Sequence, residues 1–206
     1  HGEGDVYKGR DDDVATSFGE TTVGKNLSVT AYGTVSEKTK LAVTRTTAIS
    51  ATGQTVELDT ANNEFTGAVT VTGGATTLKD ANNLTVSLTT SGTTDLTAVD
   101  TLIVDGTVSG ATSDLTTAAV ATSFGATTVG QNLSVTASGT VSDTAKLAVT
   151  GTTAISATCQ TVELDTATND FTGAVTVTGG STTLKDANNL TVIPTSTGTT
   201  DPTAVD

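Results

Sequence analysis

A long internal copy constrains this chain more than any other feature of its sequence. Residues 15–100 recur as residues 121–206, an offset of 106 residues, and only 16 of the 86 aligned positions differ. The alignment needs no insertion and no deletion. We therefore expect residues 15–120 and 121–206 to be two tandem periods of one continuous architecture, preceded by an irregular lead-in or cap at residues 1–14.

Apolar residues recur in pairs that are two positions apart, such as Leu27 with Val29 and Leu41 with Val43, and both copies keep these pairs. Alternation of this kind places the apolar side chains on one face of a strand. Short turn signals rich in Gly, Asn and Asp separate the pairs. The substituted positions expected to face solvent are Lys25, Tyr32, Lys38, Arg45 and Asn62. The sequence predicts an all-β chain with almost no helix.

The choice among all-β architectures depends on the size of the available core. Aromatic residues make up 3% of the chain, Trp and Met are absent, and Thr supplies 52 of the 206 residues. Two sandwich domains would each need larger apolar side chains and a linker between them. A solenoid needs only a narrow core of stacked Val, Leu, Ile and Ala. At about 20 residues per coil, the sequence predicts a right-handed parallel β-helix of about ten coils, with five coils in each period.

The charge of the chain limits its partners. The formal net charge is −13 and the sequence pI is about 4.1, which disfavours nucleic acid and anionic membrane surfaces. No apolar run is long enough to span a membrane. A Ser/Thr-rich acidic chain can also be a disordered stalk. The presence of only 2 Pro and the regular apolar spacing favour a folded chain.

The sequence contains few residues of the kinds that acid–base or nucleophilic catalysis needs. The only His is His1, so no Ser–His–Asp or Cys–His arrangement can form within the repeat. Carboxylates recur once per copy, with a lysine beside the last pair. They are Asp59/Asp165, Glu57/Glu163 and Asp80/Asp186, with Lys79/Lys185. Asp at a turn is explained by its own hydrogen bonding. We expect no enzyme and assign no catalytic, cofactor-binding or metal-binding residue.

Three smaller features are also given structural interpretations. The acidic run 11–13 is expected to be solvated, and no calcium-loop motif is present. Cys159 is the single cysteine and replaces Gly53 of the first copy, so it is either incidental or a site of intermolecular cross-linking. Thr-x-Thr pairs are typical of ice-binding solenoids, but most coils lack one. These pairs are Thr44/Thr46, Thr70/Thr72 and Thr176/Thr178.

The segments FTGAVTVTGG, TLKDANNLTV and QNLSVTASGTVS resemble repeats of filamentous haemagglutinin-like large exoproteins, which are secreted adhesins of Gram-negative bacteria. The resemblance covers nearly all of residues 15–206. It implies a right-handed β-helix shaft, two-partner secretion, and an adhesive role at the cell surface or after release. No secretion domain, toxin or anchor is recognisable in this sequence.

Two hypotheses follow for the function. The first is a non-enzymatic extracellular shaft that contacts host or cell-surface ligands. The second is a self-assembling extracellular filament or matrix protein, in which open solenoid ends stack between copies of the chain.

Overall fold

The computed structural model describes residues 5–8, 15–195 and 198–204, with the side chains of 5–8 excluded. The acidic run 11–13 and His1 lie outside the described residues. Twenty-six strands and no helix occur in the described part of the chain. The strands are β1 Asp5–Lys8, β2 Thr16–Phe18, β3 Thr21–Val23, β4 Leu27–Thr30, β5 Val35–Glu37, β6 Leu41–Val43, β7 Thr47–Ser50, β8 Val56–Leu58, β9 Glu64–Phe65, β10 Val69–Gly73, β11 Thr76–Asp80, β12 Leu84–Thr90, β13 Thr94–Ala98, β14 Thr101–Val108, β15 Leu115–Ala119, β16 Ala121–Val129, β17 Leu133–Ala137, β18 Val141–Asp143, β19 Leu147–Val149, β20 Thr153–Ser156, β21 Val162–Leu164, β22 Asp170–Phe171, β23 Val175–Thr178, β24 Thr182–Asp186, β25 Val192–Pro194 and β26 Thr200–Ala204.

The strands form a parallel β-solenoid of about nine turns. A thirteen-stranded sheet follows the order β1-β4-β7-β10-β12-β14-β16-β18-β21-β24-β26, and a ten-stranded sheet follows β2-β5-β8-β11-β13-β15-β17-β20-β23-β25. Each strand pairs with the strand one coil earlier or later, as Val29 does with Ile49. The predicted fold class is confirmed, with about nine turns in place of the expected ten.

The core is a continuous stack of small aliphatic side chains that runs through both copies. The alternating pairs are buried as predicted, with Leu27 and Val29 each 1% exposed. Phe65, Phe124 and Phe171 are the largest fully buried side chains. The substituted positions Lys25, Tyr32, Lys38, Arg45 and Asn62 are all exposed. A narrow core of this kind needs few aromatics because each coil packs only against its neighbours.

Equivalent strands of the two copies lie on opposite faces of the solenoid. A period of five whole coils, as expected from the sequence, would place them on the same face. The first-copy strands β2, β5, β8, β11 and β13 belong to the ten-stranded sheet, whereas their equivalents, the start of β16 and then β18, β21, β24 and β26, belong to the thirteen-stranded sheet. Conversely, β4, β7, β10 and β12 exchange with β17, β20, β23 and β25. One period therefore spans about five and a half coils, and a copy is rotated by half a turn relative to the other.

Coils differ in length because a third face is present in only part of each copy. The strands β3, β6 and β9 form a three-stranded sheet in the first copy, and β19 and β22 hold the equivalent places in the second. The register offset is 22 residues from Thr47 to Val69, where this face is present. It falls to 17 residues from Val69 to Val86, where the face has ended.

No helix in the described part of the chain is long and apolar enough to cross a membrane.

Candidate functional site

The recurring carboxylates divide into exposed and buried groups. Glu57, Asp59, Glu163 and Asp165 are exposed, and Asp165 lies 3.7 Å from the Nζ of a lysine at position 185. A contact of this kind at the surface contributes little to stability. These carboxylates do not converge with the other polar residues on one site.

Asp80 and Asp186 are buried, unlike the other recurring carboxylates. They are only 2% and 1% exposed, and each ends a strand, β11 or β24. Each also makes the turn hydrogen bond that its sequence context predicts, to the N–H two residues later, so the prediction of turn aspartates is confirmed and their burial is the new finding. Their side chains close the inner corner at which the third face of the solenoid ends.

A cleft of about 460 Å³ lies at this corner in the first copy. Its lining residues are Glu64, Phe65, Thr66, Asp80, Asn82, Asn83 and Asp100. The cleft exists because the coil after β9 omits the third face, so that the edge of β9 is left without a neighbouring strand. We refer to this depression as the corner cleft.

One oxygen of the Asp80 carboxylate takes the place of the carbonyl that a further strand would have offered to β9, and the other closes a local turn. Its Oδ2 accepts the backbone N–H of Phe65 at 3.0 Å, and its Oδ1 accepts that of Asn82 at 2.9 Å. Burial raises the pKa of Asp80 above its ordinary value of 3.8, and the nearby Glu64 charge acts in the same direction. The two N–H donors oppose this shift. Glu64 is itself paired with Lys40 at 2.8 Å.

The second copy repeats this corner with small differences. Oδ1 of Asp186 accepts the N–H of Asn188 at 3.2 Å, whereas its buried Oδ2 has no hydrogen-bond partner. The side chain of Asn188 also donates to Asp170 at 3.3 Å. Lys146 pairs with Asp170 as Lys40 pairs with Glu64. The turn hydrogen bond and the lysine ion pair recur in both copies, which indicates a structural role that was copied with the coil.

Buried amides brace the coils that precede each corner. Oδ1 of Asn63 accepts the N–H of Leu41 at 2.8 Å, and its Nδ2 donates to Glu37 at 3.0 Å. Oε1 of Glu37 also accepts the N–H of Thr60 at 2.6 Å, while its Oε2 is buried without a partner. From the sequence alone, Asn63 belongs to an Asn-rich turn signal and Glu37 has no assigned role. The signal was available, since Asn63 is unchanged between copies whereas its neighbour Asn62 is replaced.

The chemistry available at the corner cleft is that of hydrogen-bond acceptance and negative charge. The cleft has no nucleophile paired with a base, which acyl or glycosyl transfer would need. No group of three or more His, Cys, Asp or Glu residues suited to a metal ion occurs in the described ranges. Lined by carboxylates and amides, the cleft is suited to a cationic or hydroxyl-bearing group.

A second depression lies partly on the spacer, residues 101–120, which separates the copied segments 15–100 and 121–206. This groove of about 330 Å³ includes Val99, Val120, Ala118 and Ala119, with hydroxyl groups at its margins. Val99 and Val120 are 57% and 45% exposed. We call it the spacer groove. In an acidic protein it offers an uncharged, partly apolar contact surface.

The outward side chains of the broad sheets form ordered rows of hydroxyl groups. One row on the thirteen-stranded sheet is in register over six strands and runs Thr30, Ser50, Thr72, Thr89, Thr107 and Thr128. Of the Thr-x-Thr pairs, Thr70/Thr72 and Thr176/Thr178 lie on strands, whereas Thr44 and Thr46 lie in a turn. The positions in register with Thr70 on the neighbouring strands are Ala48, Ser87 and Asp105, so an unbroken array of threonine pairs is not formed.

Cys159 lies in an exposed turn between β20 and β21. Its φ of 62° is a left-handed value that L side chains rarely adopt, and the equivalent Gly53 has a φ of 72°. The turn is therefore built for glycine, and the cysteine is accommodated there under strain.

Comparison with known proteins gives a family but no individual relative. A family model described as repeats of unknown function (DUF5649) matches residues 4–72 and again residues 110–178. The two matches are offset by 106 residues, as the two copies are. No curated protein and no solved structure matches the chain.

Proposed function

We propose that this chain, which belongs to the DUF5649 family of repeats of unknown function, is a non-enzymatic extracellular shaft. In this proposal the solenoid is a segment of a bacterial surface exoprotein of the filamentous haemagglutinin type. It holds adhesive surfaces away from the cell and takes part in contacts with host or cell-surface ligands.

The observation that carries the proposal is the uninterrupted core. Buried aliphatic residues continue from coil to coil through both copies, and no linker separates the copies. About nine turns at a strand spacing of about 4.8 Å give a rod of about 43 Å. A stack of this kind keeps its ends at a fixed separation, which is the mechanical property that a shaft needs.

Two surface properties support a role in contact. The net charge of −13 favours solubility and discourages nonspecific association with anionic surfaces. The spacer groove and the hydroxyl rows provide uncharged surface within this acidic exterior. Ligands with hydroxyl groups and small apolar patches, such as cell-surface glycans, match the chemistry of these surfaces.

The location is tested through the single cysteine. A membrane-impermeant maleimide applied to intact cells of the producing strain should label Cys159, because the thiol is exposed. A strain carrying Cys159→Gly is the matched control and should give no signal. Labelling that appears only after lysis would contradict an extracellular location.

The contact role is tested with microspheres coated with the purified chain and washed over host-cell monolayers. Retention above that of beads coated with an inert acidic protein is expected. A Val120→Asp variant, which places a charge in the spacer groove, should reduce retention if this groove takes part. Equal retention of beads coated with the wild-type chain and beads coated with the inert protein would contradict the adhesive role.

A further inference from the structure

The chain contains only 2 prolines, Pro194 and Pro202, and both lie in its final coil. Pro194 is in β25, the last strand of the ten-stranded sheet, and Pro202 is in β26, the last strand on the path of the thirteen-stranded sheet. They replace Leu88 and Leu96 of the first copy. The two most disruptive substitutions for a β-ladder therefore fall together, one in each sheet.

The hydrogen-bond pattern of β25 shows which way Pro194 faces. Thr191 accepts the N–H of Val175 at 2.9 Å, and Thr195 donates to the carbonyl of Val177 at 2.8 Å. The odd-numbered residues of β25 thus bond to β23. In a parallel sheet the intervening residues direct their backbone groups to the opposite side. Pro194 is one of these, and its nitrogen faces the edge away from β23.

The same reasoning applies to β26. The carbonyl of Thr199 accepts the N–H of Thr182 at 2.9 Å, so the odd-numbered residues face β24. Pro202 is an even-numbered residue of this strand, and its nitrogen also faces away from the preceding coil. No strand among the described residues pairs with the far edge of β25 or β26.

The first copy shows what these positions do when a further coil follows. Ser109 on the next coil donates to the carbonyl of Thr90 at 2.8 Å, which places the even-numbered residues of β12 toward β14. Leu88 is one of these residues. A leucine there offers a backbone N–H to the next coil, and a proline does not.

In the ten-stranded sheet, the first-copy residue equivalent to Pro202 also directs its backbone groups toward the next coil. Thr94 donates to the carbonyl of Asp114 at 2.9 Å, so the even-numbered residues of β13, including Leu96, face the next coil. Leu88 and Leu96 are 2% and 1% exposed. Pro194 and Pro202 are exposed, and no described strand covers them.

From this geometry we infer that β25 and β26 form a proline-capped edge that excludes strand addition by a second copy of this chain. An unpaired edge strand invites such addition, and proline is one of the devices that prevents it. Each proline removes one N–H donor at the edge and places a ring where the neighbouring backbone would approach. The edge is closed in both sheets of the same coil.

The test restores the residues of the first copy. The Pro194→Leu, Pro202→Leu double variant should associate in a concentration-dependent manner, whereas the wild type should not associate through this edge. Restoring two backbone hydrogen bonds is expected to lower the dissociation constant by about tenfold or more. Sedimentation velocity over a range of concentrations measures the association. Amide hydrogen exchange in residues 192–204 locates it.

The matched control is Thr203→Leu, which adds an apolar side chain to the same coil at a position whose backbone already faces β24. This variant should remain as dissociated as the wild type. Far-UV circular dichroism confirms that each variant retains its β-structure. The inference is overturned if the wild type associates with protection of residues 192–204, if Thr203→Leu associates as strongly as the double variant, or if the folded double variant stays as dissociated as the wild type.

Discussion

Asn63 and Asn169 make the same buried contact at the same distance, although the half-turn between copies puts them on opposite sides of the solenoid. Each Oδ1 accepts the backbone N–H of a leucine one coil earlier at 2.8 Å. Each Nδ2 donates to an acidic side chain, Glu37 in the first copy and Asp143 in the second. The asparagine is therefore an internal brace between coils.

Replacing this brace should be costly. Asn63→Ala leaves the N–H of Leu41 without its partner and removes one of the two hydrogen bonds to Oε1 of Glu37, and we expect a loss of about 1–3 kcal/mol in the free energy of unfolding. Denaturant titration followed by circular dichroism measures the loss. Asn62→Ala, at the exposed neighbouring position, should change stability by less than about 0.5 kcal/mol. Equal effects at the two positions would contradict the proposed brace.

The turn at Cys159 predicts a stabilising substitution. A left-handed φ costs an L-residue about 1–2 kcal/mol, and glycine returns part of this through its more flexible unfolded state. Cys159→Gly should therefore raise the free energy of unfolding by about 0.5 kcal/mol, as measured by urea titration. Cys159→Ser keeps the strain and should leave stability unchanged. Gly53→Ala introduces the strain into the first copy and should lower stability.

Much of the fold could be predicted from the alternation of apolar residues, because a buried strand face has a period of two regardless of its neighbours. Val29 and Val135 were assigned to the core on this basis, and each is 1% exposed. Their placement in different sheets could not be predicted. It depends on coil lengths that vary between 17 and 22 residues. An average length of about 20 residues per coil gives five coils per period and misses the additional half-turn.

The corner residues were harder to predict because Asn and Asp are typical of both solvated turns and buried hydrogen-bonded corners. The turn hydrogen bond of Asp80 was predicted and is present, whereas its burial, at 2% exposed, was not predicted. Its role depends on the N–H of Phe65, which lies next to Asp80 in the fold but not in the sequence. No strand accepts this N–H because the third face ends there, and Asp80 accepts it instead. The spacing of residues in the sequence does not indicate where the third face ends.

Gly106 is predicted to tolerate no side chain. Its φ is 106°, and an added Cβ would lie 2.1 Å from the carbonyl oxygen of Leu88. Gly106→Ala should lower the free energy of unfolding by about 2 kcal/mol or more, since the backbone strain and the steric contact add together. Thermal and denaturant unfolding measure the change. Gly19→Ala is the control because no other atom lies within 4 Å of its added Cβ. A comparable loss at Gly19 would show that the effect is a general one of replacing glycine.

The buried carboxyl of Asp80 predicts an unusual dependence of stability on pH. Burial raises its pKa above the ordinary 3.8, so the folded state binds this proton more tightly than the unfolded state does. The corresponding stability is fully present below the ordinary pKa and is lost as pH rises through the folded pKa. Relative to Asp80→Asn, the wild type should therefore gain stability as pH falls from 7 to 4.

The comparison needs the difference between variants, because other carboxylates titrate over the same range. Free energies of unfolding for the wild type and Asp80→Asn are measured by denaturant titration at several pH values between 4 and 7. Asp95→Asn, at an exposed position on β13, is measured beside it as the control for removing one carboxylate from the chain. If the difference between the wild type and Asp80→Asn is constant over this range, burial does not raise the Asp80 pKa. If the wild type instead loses stability relative to this variant on acidification, the two N–H donors outweigh burial, and the corner carboxylate acts as a conventional ionised cap.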